Sequence, residues 1–208
     1  MRLEGKGLAY RYTKGSWLFH GFDLSVNEGE TVGLFGPSGC GKTTLGRIMA
    51  GYEAPAEGKV TFGGRPLPGK GRLPVQMVFQ HPERAVNPRW RLKRTIAEGG
   101  MPDAGLLHAL EIEERWLHRW PNELSGGELQ RICIARALGP QTRILIADEM
   151  TTMLDAVTQA NIWRALLSVV RERGLGMLVV SHDRHLLGAV CDRVVQMNEF
   201  AGIQHSDE

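Results

Sequence analysis

Residues Gly36 to Thr43 read GPSGCGKT and match the pattern GxxxxGK[ST] in full. The string follows TVGLF (Thr31–Phe35), an apolar run with the profile of a buried strand. It precedes a helical pattern from about Lys42 to Ala50 that stops at Gly51, a favoured residue just past a helix end. Strand, glycine-rich turn and helix, in that order, constrain this chain more than any other feature. Glycines let successive backbone N–H groups turn inward around a phosphate, and the helix start adds the positive end of its dipole. Lys42 then bonds the β- and γ-phosphates, and the Thr43 hydroxyl completes a Mg²⁺ shell. The expectation is a nucleotide site formed by Gly36, Pro37, Ser38, Gly39, Cys40, Gly41, Lys42, Thr43 and Thr44. Cys40 fills a free position of the loop and reads as a plain small side chain rather than a redox sensor, although a thiol reagent there is expected to block the phosphate site.

Short β-rich runs alternate with helical patterns, which implies an α/β fold with a largely parallel central sheet. Leu8–Tyr12, Phe22–Val26, Lys59–Phe62 and Val75–Gln80 read as strands of the first half, and Gly63–Pro74, with four glycines and three prolines, as a loop. Residues 81–137 are helical in places but broken by Pro82, Pro88 and Pro102, as expected of an inserted α-helical subdomain. Ser125 and Glu128 form a capping box that opens a helix, which stops at Gly139-Pro140. Arg143–Ala147, Met177–Ser181 and Arg193–Met197 read as further strands. Asp155 caps a helix to about Arg173, with Val157, Ala160, Trp163, Leu166, Leu167 and Val170 on one face. Trp116 and Trp120 read as packing residues. At 208 residues this is one domain.

Composition excludes several classes. With 42% hydrophobic and 23% charged residues the chain is ordinary globular material. A formal net charge of +2 gives no reason to expect direct nucleic-acid binding. Three scattered cysteines (Cys40, Cys133, Cys191) without a CxxC pair read as reduced thiols. No secretory leader and no apolar run near 20 residues is present, so a membrane role would need a partner.

Asp148 and Glu149 end the run RILIADE. Alternation along a strand sends neighbouring carboxylates to opposite faces, so each can take a separate task. Asp148 fits a Mg²⁺ partner and Glu149 the base that polarises an attacking water.

ELSGGELQR (residues 123–131) lies between these motifs, and VVSHD (179–183) follows them. Together with GPSGCGKTT and ILIADE, in this order, they resemble the set that defines the ATP-binding subunits of ABC transporters, from about Leu3 to Met197. That resemblance implies a P-loop fold with a mostly parallel sheet, an antiparallel β-subdomain and an inserted helical subdomain, and ATP with Mg²⁺ as ligands. It implies further roles. Tyr12 stacks on adenine, with Tyr10 the lesser candidate. Gln80, in VFQHP, touches Mg²⁺ and the water and senses the membrane subunit. Ser125, Gly126, Gly127 and Glu128 form the signature that binds the γ-phosphate of ATP held by a second ATPase subunit. His182 contacts the γ-phosphate, and Asp155 bridges the two subunits. His185 could join an HDxH metal string with His182 and Asp183, but reads better as a surface helix start.

QHPERAVNPRW (80–90) resembles a string found in ATPases of peptide and nickel importers, where a helix of the membrane subunit docks. Arg84, Arg89, Arg91, Lys93 and Arg94 make it the most basic stretch. The implied protein is the ATPase of a bacterial importer for peptides or nickel and metal-chelate species. It is peripheral on the cytoplasmic face of the membrane, bound to two integral permease subunits and a paralogous or identical ATPase, and indirectly served by an extracytoplasmic solute-binding protein. The competing readings are a soluble ABC ATPase acting on nucleic acid or an assembly factor, and an exporter ATPase. The motif halves are about 80 residues apart, too few for a coiled-coil arm. Two departures stand out: Met150 replaces the family's usual proline after Glu149, and the chain ends soon after Met197, which argues against long peptides.

Overall fold

The computed structural model describes residues 1–12, 15–69 and 71–197. Two sheets organise them. The first is antiparallel, in the order β2-β1-β4-β5, and uses β1 (Arg2–Tyr10), β2 (Phe19–Asn27), β4 (Glu57–Phe62) and the two-residue β5 (Arg65–Pro66). The second is parallel, in the order β6-β7-β8-β3-β9, and uses β3 (Thr31–Phe35), β6 (Val75–Val78), β7 (Ile144–Asp148), β8 (Gly176–Ser181) and β9 (Arg193–Gln196).

Apart from Thr31, Asp148 and Ser181 at their ends, β3, β7 and β8 are apolar because both faces of the parallel sheet are covered. Their alternate side chains split between two cores. Leu34, Ile144, Ile146, Leu178 and Val180 face α1 (Lys42–Met49) and the antiparallel sheet. Leu145, Ala147, Met177 and Val179 face α5 (Gly126–Ala137) and α6 (Ala156–Glu172). Residues 81–123 fold as α2 (Pro82–Ala85), α3 (Leu92–Ala97), α4 (Ala104–Ala109) and two 3₁₀ turns (Glu114–His118, Pro121–Glu123). These lean on α5 through Leu92, Ile96, Leu110 and Trp116.

Several boundaries move from the sequence expectation. β1 starts at Arg2, since Leu3 and Leu8 are buried while Arg2 and Lys6 point to solvent. The expected loop at 63–74 includes β5, folded back by Gly63-Gly64, both at positive φ as a two-residue hairpin turn requires. α1 ends as expected, with Gly51 at φ 77° and the Tyr52 N–H donating to the Arg47 carbonyl at 2.9 Å. The stripe on α6 begins later than expected. Ile162, Trp163, Leu166, Val169 and Val170 are buried, whereas Val157 is 71% exposed and Ala160 is on the surface. The first turn of α6 projects past the core it caps. Trp116 is buried, but Trp120 stays partly exposed beneath the Arg91 guanidinium, 5.0 Å from its ring centre.

α7 (Arg184–Val190) follows β8 and returns the chain to β9. Parallel register sets Phe35 against Ser181, Asp148 against Val180 and Val78 against Ala147. The segments after β3, β6, β7 and β8 therefore emerge along one carboxyl edge, where open α/β sheets bind their ligands.

Candidate functional site

The loop after β3 carries Gly36 to Gly41. A Cβ on Gly36 would lie 2.5 Å from the Met197 carbonyl and 2.8 Å from the Cys40 sulfur. Gly41 takes φ 102°, out of reach of ordinary side chains, and makes the turn into α1. Among the described residues no side chain caps α1, nor the short α2 and α3. Asp103, Ser125, Asp155 and Asp183, by contrast, cap α4, α5, α6 and α7 with their own oxygens. The first N–H groups of α1 thus face the cleft with the positive helix end behind them, as an incoming phosphate needs. Lys42 is buried, and its ammonium donates to the Gly36 and Pro37 carbonyls, both at 2.8 Å. Cys40 is also buried, its sulfur packed beneath Gly36. That burial suits a plain small side chain and shields the thiol from reagents: position 40 is free in the motif but enclosed in the fold.

At the end of β7 the Thr43 hydroxyl donates to Asp148 Oδ1 at 3.1 Å. Asp148 is 4% exposed. Burial, reinforced by the neighbouring Glu149 charge and opposed by the Thr43 hydrogen bond, pushes its pKa up to about 6. The structure separates the two acids by a different device than strand alternation. Glu149 lies beyond the strand with φ 44°, a left-handed backbone rare outside glycine, asparagine and aspartate. Its N–H donates to the Val180 carbonyl at 3.0 Å. Because Met150 follows it, Glu149 escapes the extended backbone that a proline imposes on its predecessor. Met150 is itself buried in the core under α6. Glu149 Oε1 meets His182 Nδ1 at 3.1 Å.

A cleft of about 260 Å³ collects Tyr12, Ser38, Gly39, Gly41, Lys42, Thr43, Thr44, Gln80 and Glu149. Tyr12, just past the end of β1, is 72% exposed and its hydroxyl lies 3.0 Å from Thr44 Oγ1. Tyr10 is stacked on Phe19 and hydrogen-bonded to Glu53, a packing residue. Gln80 Nε2 donates to Thr152 Oγ1 at 2.9 Å. Pro37, His182 and Asp148 adjoin this cleft, whereas Ser125, Gly126, Gly127 and Glu128 do not line it. Instead Ser125 caps α5 in the expected capping box, its Oγ accepting from the Glu128 N–H at 3.3 Å and its N–H donating to Glu128 Oε2 at 2.7 Å. Gly127 packs so closely on α6 that a Cβ there would lie 2.7 Å from Thr158 Cγ2. Asp155 Oδ1 accepts from the Val157 and Thr158 N–H groups. The Thr158 side chain first, and then these N–H groups, hold its carboxyl below the usual range. No cluster that could hold a metal through His185 exists among the described residues.

A second cleft, of about 300 Å³, lies against the first and shares Thr43 and Gln80 with it. Its other walls are Arg47, Phe79, His81, Arg84, Ala85 and Asp148. Sequence reasoning missed Arg47, although its place four residues after Thr43 puts both on one helix face. It also missed Thr151, whose buried hydroxyl accepts from Gln159 Nε2 (2.8 Å) and Trp163 Nε1 (3.1 Å) and so ties the loop after Glu149 to α6. Two of the five basic residues noted at 84–94 are engaged with tryptophans: Arg91 over Trp120, and Arg94 3.8 Å from the centre of Trp90.

A parallel sheet with an uncapped, glycine-turned helix start and an acidic pair at one carboxyl edge defines a P-loop nucleotide-binding protein. A profile of the ABC transporter family matches residues 19–152, and the chain belongs to that family. It binds ATP and is an ATP-hydrolysing subunit of a transporter. Nickel import ATP-binding protein NikE of Rhodospirillum rubrum is 40% identical over 195 residues, covering 85% of this chain and 70% of the relative. Its namesake in Escherichia coli K12 is 34% identical over 223 residues, covering 94% and 83%. Among solved structures, the dimeric bacterial ABC transporter cassette MJ0796 superposes with a TM-score of 0.78 at 26% identity, over 95% of this chain and 94% of that one. Clostridium perfringens cbiO1, part of the ABC transporter complex cbiONQ, gives 0.80 at 25% identity, over 95% and 84%. No helix among the described residues is long and apolar enough to cross a membrane.

Proposed function

We propose that this chain energises import, with nickel or a nickel chelate as the solute. The observation that carries the solute is the 34–40% identity to proteins named for nickel import. The QHPERAVNPR string, which resembles that of peptide and nickel systems, points the same way.

ATP sits in the cleft over α1, its adenine on the exposed Tyr12 ring and its phosphates on the loop from Gly36 through Gly41 with Lys42 and Thr44. The donor set suits Mg²⁺: the Thr43 hydroxyl and Asp148 carboxyl touch, Gln80 stands across the cleft, and all offer the oxygens a hard cation takes. Bound there, Mg²⁺ supplies charge neutralisation at the β- and γ-phosphates. Glu149 accepts a proton from the attacking water, and His182 holds the Glu149 carboxylate while facing the γ-phosphate. Ser125, Gly126, Gly127 and Glu128 lie outside this cleft, which supports their serving ATP on a second ATPase subunit, with Asp155 at the joint. Residues 81–137 act as the helical subdomain. The cleft at Arg47, His81 and Arg84 receives a segment of a membrane subunit, and Gln80, common to both clefts, transmits its movement. The protein thus sits at the cytoplasmic face of the membrane, with two permease subunits and, beyond them, a solute-binding protein.

Purification from native membranes in mild detergent is expected to recover two polytopic proteins, and cells lacking the chain to lose uptake of ⁶³Ni²⁺. Recovery of soluble partners alone would end the transport reading. Normal nickel uptake with a membrane complex intact would end only the choice of solute.

A further inference from the structure

We infer that Thr152 is a positioning residue for hydrolysis, a hydroxyl that fastens the base Glu149 to the glutamine of the neighbouring cleft. The inference rests on the reading of Glu149 as base. Glu149 occupies left-handed backbone, φ 44°, a conformation that persists only where surroundings hold it. Three hydrogen bonds hold its peptide groups. Its N–H donates to Val180 of β8 at 3.0 Å, and its carbonyl accepts from the Thr152 N–H at 3.2 Å and from Thr152 Oγ1–H at 3.0 Å. The same hydroxyl accepts from Gln80 Nε2 at 2.9 Å. One oxygen therefore donates to Glu149 and accepts from Gln80, using its proton in one direction and a lone pair in the other.

The arrangement is directional. Gln80 borders both the nucleotide cleft and the basic cleft beside Arg47 and Arg84. A shift of Gln80 removes the donor to Thr152 and frees the hydroxyl to rotate away from Glu149. The carboxylate end of Glu149 is restrained separately by His182 at 3.1 Å. Thr152 thus governs the backbone from which the carboxylate is aimed, and it is not among the residues that line either cleft. Thr151 next to it faces the opposite way, into α6, so the two threonines divide anchoring from coupling.

The test is steady-state ATP turnover by the full chain with its membrane complex. Thr152→Val keeps the shape and removes the hydroxyl. It is expected to lower kcat about fivefold to tenfold, the worth of one hydrogen bond, with KM for ATP within about twofold and the melting temperature unchanged. Thr152→Ser restores the hydroxyl and is expected to recover most of the loss. Gln80→Ala and Thr152→Val together are expected to cost less than the product of their separate effects. A Thr152→Val enzyme at normal kcat would overturn the inference, and so would Thr152→Ser falling as far as valine. Glu149→Gln run in parallel separates the two readings. Normal turnover there removes Glu149 as base and this inference with it, whereas slow Glu149→Gln beside normal Thr152→Val removes the inference alone.

Discussion

Asp148→Asn is expected to make the chain more stable while abolishing its turnover. The carboxyl is buried at the end of β7 with one hydrogen bond, from Thr43. Its pKa rises from the ordinary 3.8 to about 6, burial being the main cause. A tenfold change in proton affinity corresponds to about 1.4 kcal/mol, so holding the ionised group in the fold costs about 3 kcal/mol. The sign follows from the raised value. The protonated acid is tolerated below pH 3.8, and stability is lost as pH rises through 6, with the full cost in place above pH 7. Asparagine retains an oxygen for the Thr43 hydroxyl and carries no charge, but its amide nitrogen needs a partner, which takes back about 1 kcal/mol. A net gain near 2 kcal/mol corresponds to about 4–8 °C for a chain of this length. Calorimetry of nucleotide-free protein in EDTA should show the gain at pH 8 and less than half of it at pH 5. Equal or lower stability at pH 8, or a gain independent of pH, would refute the burial argument. With Mg²⁺ and ATP the variant should bind weakly and turn over no nucleotide.

Lys42→Ala removes the ammonium now held on the Gly36 and Pro37 carbonyls, and ATP binding measured by calorimetry should vanish; retained micromolar affinity would contradict the cradle. If each site joins the P-loop of one chain to Ser125 of another, Lys42→Ala and Ser125→Arg chains, each inactive alone, should regain turnover when mixed. No recovery in a mixture shown to dimerise would argue for sites complete within one chain. Changing Arg47 and Arg84 together to Ala should abolish recovery of membrane subunits in a detergent pull-down while ATP still binds; undiminished recovery would move the dock elsewhere. Finally, Cys40, enclosed in the fold, should resist a thiol reagent in the native protein and react on unfolding. Burial pushes the Cys133 thiol up to about 11 and the Cys191 thiol to about 12. Rapid native labelling at Cys40 would show that the loop opens.

The parts legible in the sequence were those fixed by local chemistry. Hydrophobic runs with no polar interruption require a sheet covered on both faces, which made β3, β7 and β8 readable. The Ser125–Glu128 box and Asp155 act within three residues of themselves, so their caps followed from spacing. The late start of the buried stripe on α6 was not readable, because Val157 and Ala160 obey helical spacing and only the extent of the core decides whether the first turn is covered. Cys40 shows the same limit, since a motif marks a position as variable without saying which way it faces.

Glycine positions, the order Gly36–Thr43 before Asp148-Glu149, and strand hydrophobicity determined by themselves that this chain folds around a phosphate cradle, because backbone freedom and solvent exclusion act on residues near in sequence. What the tertiary structure alone decided is the company those residues keep. Parallel register brings Gln80, Glu149 and His182 to one edge. Glu149 takes its left-handed turn because Val180 and Thr152 hold it, and Arg47 faces His81 and Arg84 across a cleft. Apart from Thr152, three residues from Glu149, such meetings join residues from about 30 to more than 100 positions apart, and only the packing of the sheet sets which of them touch.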